Sequence, residues 1–389
     1  MRCDSFALSR RLCFLAAGVL AFAAVSAGCG STTVHRSSSA ADARPIASSP
    51  VAIARAGLPR FFADTVDTME GNGPLQVRES AAGRLVAEDK HMFGMPGITA
   101  LVATSDRSFV IAAPVGNDFS CVTRLYRFRL NAQGRPGRLS PLGQKVRGHV
   151  WSLAAGVRGQ VIGYAVSGCG KGQPGYLAVL DARTGRTRQW SDVSLGGESP
   201  GNVAVAGPFL SMSANGRMLA FAGWDVAGNW HLVGHGHLTR QVVRVLPAGA
   251  ARGTVAQRSH VILSRPLSGP GLAAVAVSPD GGSFYLCTQR DRRGQSMRTI
   301  GAYATATGAL RRVIVTVTGT PVPAACQMAL DPSGRSLLLT NTLSNPRYPR
   351  NPVLGLVRID LTTRSAATLT IKLPPNGGMD PYSGMSTAW

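Results

Sequence analysis

The 389-residue sequence predicts an all-β chain folded as a six-bladed β-propeller, with seven blades as the fallback. Three observations carry this. First, charged residues make up only 15% of the chain while it holds 46 Gly and 24 Pro, so turns are plentiful and amphipathic helices scarce. Second, one plan recurs in "FLSMSANGRMLAFAG" (209–223), "VAVSPDGGSFYLCTQ" (275–289) and "MALDPSGRSLLLTNT" (328–342): an apolar run, a tight turn and a second apolar run. Third, a second hairpin follows each such pair, giving four strands per unit at a spacing of roughly 50–65 residues.

Looser copies of the first hairpin stand at 97–113 and 150–166. The second hairpin is plain at 177–190, 300–315 and 356–371, and looser at 124–142 and 237–247. These make five blades between residues 97 and 373. A blade cannot bury both faces alone, so the units must ring together. The ends supply the sixth. Residues 60–88 read as a strand, a long loop and a strand–turn–strand, lacking an innermost strand, and "GMSTAW" (384–389) is one apolar strand without a neighbour in sequence. Laid beside Phe61–Val66, it completes the blade and removes a free sheet edge.

The N-terminus has its own logic. Arg2, Arg10 and Arg11 precede an apolar run from Leu12 to Ala24, about 13 residues, where a membrane span needs roughly 20. "SAGC" (26–29) then resembles the lipobox of bacterial lipoproteins, with Ser26 where that family prefers Leu, Val or Ile. The resemblance implies removal of residues 1–28 and lipidation of Cys29, anchoring the chain to the outer face of the plasma membrane through more than one acyl chain. An ordinary signal peptide cut nearby is the alternative, and "SRRLCFL" (9–15), which faintly resembles a twin-arginine signal, leaves the export route open. Residues 29–57, rich in Ser, Ala, Thr and Pro, read as a flexible tether, and 58–389 as the propeller domain.

The turns "SPDG" and "DPSG" resemble those of WD40-like propellers in bacterial exported proteins, including the TolB propeller. More narrowly the chain resembles actinobacterial lipoproteins of this kind, a resemblance that implies a fold and no activity.

Net charge is +22, and +20 once residues 1–28, with three Arg and one Asp, are removed. The cations are dispersed, aromatics are 6%, and no nucleic-acid motif accompanies them, so nucleic acid is not the expected partner. Anionic lipid headgroups, an anionic wall polymer or an envelope protein fit better, with a monomeric chain. Arg outnumbers Lys 37 to 4, which reads as a GC-rich coding bias.

Cys3 and Cys13 leave with the signal, and Cys29 is the lipidation site. Four cysteines remain, with three connectivities. The blade plan selects Cys121–Cys169 and Cys287–Cys326 as staples between adjacent blades, each adding about 2–4 kcal/mol. No C-x-x-C pair or neighbouring histidine marks them as a metal site.

Candidates for chemistry are few. "HLVGHGH" gathers His231, His235 and His237, weak metal candidates lacking a third ligand of suitable spacing. Asp64, Asp67 and Glu70 read as a solvated acidic loop without calcium-loop spacing. "GCGKGQPG" (168–175) lacks the span and hydroxyl of a P-loop, and no Ser, His and Asp can be argued into one cleft. The expected innermost strands carry only Asp331. The sequence therefore favours a non-catalytic binding module, with no cofactor and no catalytic residue. The alternative is a propeller hydrolase or lactonase-type enzyme with a metal in the central channel.

Overall fold

The chain divides into two units, Met1–Asp42 and Ala43–Trp389. The structure, a computed structural model, describes residues 59–68, 71–89, 97–105, 107–116, 120–156, 159–169, 173–195, 203–227, 237–292, 295–319, 327–331, 333–343, 353–370 and 385–388. Signal, tether and Cys29 lie outside these residues.

Six four-stranded units follow one another along the second unit. Phe61–Thr68 (β1), Gly71–Glu79 (β2) and Leu85–Asp89 (β3) open it. Ala100–Ser105 (β4), Ser108–Pro114 (β5), Val122–Arg129 (β6) and Ser140–Arg147 (β7) form blade 2. His149–Gly156 (β8), Val161–Ser167 (β9), Gly175–Asp181 (β10) and Thr187–Leu195 (β11) form blade 3. Blade 4 holds Val203–Met212 (β12), Met218–Ala227 (β13) and His237–Pro247 (β14), then Gly253–Thr254 (β15), one helical turn Val255–Arg258 (α1), and His260–Arg265 (β16). Blade 5 is Gly271–Val277 (β17), Ser283–Arg292 (β18), Gln295–Ala304 (β19) and Leu310–Gly319 (β20). Blade 6 is Met328–Leu330 (β21), Ser336–Leu343 (β22), Val353–Asp360 (β23) and Ala366–Thr370 (β24), and Met385–Ala388 (β25) ends the fold.

The last strand pairs with the first. β25 runs antiparallel to β1, with Ala63 opposite Ala388 and Val66 opposite Met385, so blade 1 has the order β25-β1-β2-β3. This is a six-bladed β-propeller closed by its two ends. Trp389 lies outside the described residues. In blade 1 the expected long loop is mostly strand: β1 continues to Thr68, which pairs with Gly71 of β2.

Local chemistry explains the hairpins. In "SPDG" the Ser278 hydroxyl takes the Ser283 N–H at 3.0 Å while Asp280 takes the Gly282 N–H at 3.0 Å, side-chain bonds that reinforce the backbone bonds from Ser278 N–H to Ser283 O and from Gly281 N–H to Ser278 O, both at 2.9 Å. Gly334 of "DPSG" sits at φ +72°, with its Cα facing Pro279 of the neighbouring turn, so a side chain there would be both strained and blocked.

Blade 4 departs from the plan. Its outer strand, β16, follows an excursion closed by a capping box, in which Thr254 and Gln257 bond each other's backbone N–H. That excursion also pairs with blade 3, as β15 runs parallel to β11, and β11 runs parallel to β12 at Val193–Leu195. Blades 3 and 4 thereby form one continuous nine-stranded sheet. Trp190, fully buried, plugs the joint and donates its indole N–H to Ala251 O at 2.9 Å.

Apolar clusters fill five seams. Phe61, Leu75, Phe109 and Phe128 join blades 1 and 2, and Val110, Leu125, Ile162 and Tyr164 join blades 2 and 3. Leu177, Trp190, Phe221 and Leu246 join 3 and 4. Val243, Leu272, Phe284 and Leu286 join 4 and 5, and Ile300, Leu337, Val357 and Ile359 join 5 and 6. Alternation along each strand sends these side chains to opposite faces, so each of blades 2 to 5 feeds two seams.

Each seam also carries an arginine that donates to the next blade. Arg60 reaches Ala132 O (3.1 Å), Arg127 reaches Gly159 O, and Arg188 reaches Ala248 O (3.0 Å). Arg265 reaches the Tyr303 hydroxyl (2.8 Å), Arg312 reaches Leu361 O (3.2 Å), and Arg358 reaches Ser80 O (2.6 Å). Five of these acceptors are carbonyls of turns or strand ends, groups that no ladder satisfies. A forked guanidinium reaches them from a neighbouring sheet while its stem lies along the seam. Part of the arginine excess is therefore structural, beside the part that reads as coding bias.

Candidate functional site

The antiparallel plan gives the propeller two unlike ends. At one end lie the turns from first to second and third to fourth strands, short except for the blade 4 excursion and packed on one another. Gly334 meets Pro279, Gly159 meets Thr104, and Ala214 N–H bonds Pro279 O at 3.1 Å. At the other end lie the second-to-third connections and the blade-to-blade crossings.

The tight-turn end is basic. Arg84, Arg135, Arg183, Arg217, Arg311 and Arg364 stand exposed there, one from each blade in order. The chain also enters the fold at this end, through exposed Arg60. The acids on these turns are occupied locally. Asp181 accepts the N–H of Arg183 (2.9 Å) and Thr184 (3.1 Å), bonds that hold its carboxyl below the usual range. Asp360 likewise accepts Thr362 and Thr363 N–H, both at 2.8 Å.

At the opposite end, on the seam of blades 2 and 3, three soft-ligand side chains meet. Cys121 precedes β6, Cys169 follows β9, and His149 begins β8. Their ligand atoms all lie within 4.8 Å of one another. Cys121 and Cys169 form a disulfide, with Cα atoms 5.7 Å apart. Nothing in the spacing of the sequence places a histidine beside them; the crossing between blades does. β7 ends at Arg147 and β8 begins at His149, so Gly148 alone makes the crossing, at φ +121°. A Cβ at Gly148 would lie 2.3 Å from Val166 Cγ1 and 2.5 Å from Ser167 O, so only glycine fits. Gly148 N–H bonds Cys121 O at 3.0 Å, and Thr123 Oγ1 donates to Gly148 O at 2.7 Å.

His231 and His235 lie outside the described residues, and His237 opens β14 opposite Ala227. Cys287 is fully buried on β18 and disulfide-bonded, while Cys326 lies outside the described residues. The acidic loop reading of Asp64 is corrected. Asp64 is fully buried in β1, where Arg78 Nε donates to it at 2.9 Å. Burial pushes its carboxyl up to about 6, against the opposing pull of Arg78. Asp67 shares β1 and Glu70 lies outside the described residues. Asp331 is buried and spends its oxygens on its own turn, accepting Ser336 N–H at 2.7 Å and Ser333 N–H at 3.2 Å. A G-x-S-x-G spacing at Gly197, Ser199 and Gly201 joins two strands, β11 and β12, which is not the strand-to-helix context of a nucleophile elbow, and it lies outside the described residues.

No family model matches the chain, and no curated protein matches it. Solved structures with a similar fold include TolB from Acinetobacter baumannii, 12% identical over 86% of this chain and 68% of that one, with a TM-score of 0.49. A putative 6-phosphogluconolactonase from Bacteroides fragilis is 11% identical over 84% of this chain and 98% of that one, with a TM-score of 0.43. Hydrazine synthase of Kuenenia stuttgartiensis is 12% identical over 73% and 68%, with a TM-score of 0.40.

Proposed function

We propose that this chain is an extracytoplasmic binding module, held on the outer face of the plasma membrane by lipidated Cys29, with its arginine-bearing turns toward the bilayer. The long connections at the opposite end then face outward, toward an envelope protein or an anionic wall polymer. The observation that carries this reading is the coincidence of chain entry and charge: Arg60, where the fold begins, lies at the end where every blade presents an exposed arginine. A tether from a membrane-bound cysteine delivers that end to the surface first. Each basic side chain near an anionic leaflet contributes about 1 kcal/mol, so the five arginines other than Arg84, which Glu79 already pairs at 2.5 Å, would orient the domain. Cys121–Cys169 and Cys287–Cys326 belong to the proposal as staples suited to an oxidising compartment.

The test uses the full chain expressed in a bacterium that processes lipoproteins. Mass analysis should find a mature N-terminus at a diacylglyceryl-modified Cys29, and Cys29→Ser should move the protein out of the membrane fraction. The Cys29→Ser protein should still bind phosphatidylglycerol vesicles at low salt and lose them as salt rises, with little affinity for phosphatidylcholine. Reversing Arg135, Arg183 and Arg364 to Glu should weaken that binding at least tenfold. Unmodified Cys29 refutes the anchor, and undiminished vesicle binding by the triple reversal refutes the orientation. A thermal-shift screen of divalent cations under oxidising conditions separates this reading from a channel-metal hydrolase, which predicts stabilisation by the metal.

A further inference from the structure

The disulfide at the blade 2–blade 3 seam has a histidine nitrogen within 4.8 Å of both sulfurs, and a plain staple needs none. Cys121, Cys169 and His149 arrive from three different connections, and their ligand atoms converge within 4.8 Å. The convergence is built into the backbone rather than left to mobile side chains. Gly148 admits no side chain, its N–H is bonded to Cys121 O at 3.0 Å, and its carbonyl accepts from Thr123 Oγ1 at 2.7 Å. The Tyr176 hydroxyl donates to Arg147 O at 3.2 Å, fixing the residue before the crossing. Cys169 is exposed while Cys121 and His149 are half-buried, so small reagents reach the cluster from solvent.

We propose that this cluster is a redox-gated site for a soft or borderline divalent cation such as Zn²⁺, empty as the disulfide and competent as the dithiol. In the reduced state two thiolates and one imidazole offer an S₂N donor set, and a water completes a tetrahedral sphere. Oxidation closes the site. A low-molecular-weight disulfide such as oxidised glutathione is attacked by one cysteine thiolate, giving a mixed disulfide and one glutathione thiolate. The second cysteine thiolate then attacks the protein sulfur of that mixed disulfide, the Cys121–Cys169 bond forms, and the second glutathione thiolate leaves. Two electrons pass from the cysteine pair to glutathione, and the cation departs because neither sulfur remains a thiolate.

The experiment titrates the full-length protein with Cd²⁺, a spectroscopic probe for Zn²⁺, after reduction and removal of the reductant. The reduced protein should develop the ultraviolet thiolate-to-cadmium band with one equivalent bound, and oxidised glutathione should abolish it and release the ion. Cys121→Ser combined with Cys169→Ser leaves the five other cysteines of the chain in place and should bind one equivalent of Cd²⁺ fewer than reduced wild type. His149→Ala keeps both cysteines, so it folds with its disulfide, and its reduced form should bind Cd²⁺ about 10–100-fold more weakly. Absence of the band in reduced wild-type protein, Cd²⁺ uptake by the double variant equal to that of wild type, or unchanged affinity in His149→Ala each overturns the proposal.

Discussion

The seam between blades 2 and 3 and the seam between blades 6 and 1 solve the same packing problem with opposite chemistry. The first is filled by Val110, Leu125, Ile162, Tyr164 and Val166, all buried. The second sets Asp64, Gln76, Arg78 and Ser80 of blade 1 against the face of blade 6 that holds Arg358, and all five are buried. Among the described residues no apolar cluster of the kind filling the other five seams spans this one. Arg78 there bonds Asp64, Gln76 Oε1 and Gly83 O, and Arg358 donates to Ser80 O across 278 residues of sequence. Even so, among the described residues Asp64 Oδ1, Ser80 Oγ and Arg358 Nε find no hydrogen-bond partner.

That contrast has a physical lesson. Five seams join blades that are neighbours in sequence, so a non-directional apolar fit suffices to bring them together. The closing seam joins the two ends of the chain, and there a directional network distinguishes the correct register from a slipped one. Such a network adds little net stability, since desolvation offsets most of its Coulombic gain. The ring is therefore expected to open first where it closes last.

Deleting residues 385–389 tests the closure most severely. It strips β25 from β1, exposes a sheet edge and uncovers Phe61 and Leu101, so stability should fall by about 4 kcal/mol or more, seen as a Tm drop of roughly 10 °C and a tendency to aggregate. Arg78→Ala comes next, at about 3–5 kcal/mol, because it strands a buried carboxylate. Replacing both partners, Asp64→Leu with Arg78→Met, should restore most of that loss in chemical denaturation. Ile162→Ala in the apolar seam should cost a comparable 2–5 kcal/mol that no partner substitution recovers.

Among the described carboxyls the one pushed above its usual range, Asp64, lies in the closing seam. Asp64 titrates near 6 folded against 3.8 unfolded, so the folded state holds the proton more tightly between those values. Its contribution is fully present below about pH 4 and is lost as pH rises through about 6, a change of about 3 kcal/mol. Measured as the difference in unfolding free energy between wild type and Asp64→Asn, wild type should lose ground from pH 4 to 6 and hold level above. The smallest effect is at the seam clips. Arg127→Lys, which keeps the charge but loses the fork reaching Gly159 O, should cost about 1–2 kcal/mol by denaturant titration.

What could be read from the sequence was local or terminal. Turns such as "SPDG" declare themselves because Ser278 and Asp280 bond their own backbone, and the lone strand at 384–389 declares itself by having no hairpin mate. The excursion of blade 4 was missed because Thr254 and Gln257, a readable capping box, interrupt the four-strand cadence. The β11–β12 joint is a parallel pairing with no turn signature. His149 carries no sequence signal as a partner of the cysteines, because its closeness to them is made by the single-residue crossing at Gly148, a tertiary event. Asp64 looked like part of an acidic loop because its partner, Arg78, lies on the next strand, and only strand register brings the two together.

The most direct measurement is a cross-link between the termini. Ala63 and Ala388 are buried register partners on β1 and β25, so a protein carrying Ala63→Cys and Ala388→Cys should oxidise to that specific disulfide, identified by peptide mass mapping, and melt higher than its reduced form. A circular sheet array fastened by its ends requires this bond. Two cysteines that stay free, or pair elsewhere, while the protein remains folded would contradict it.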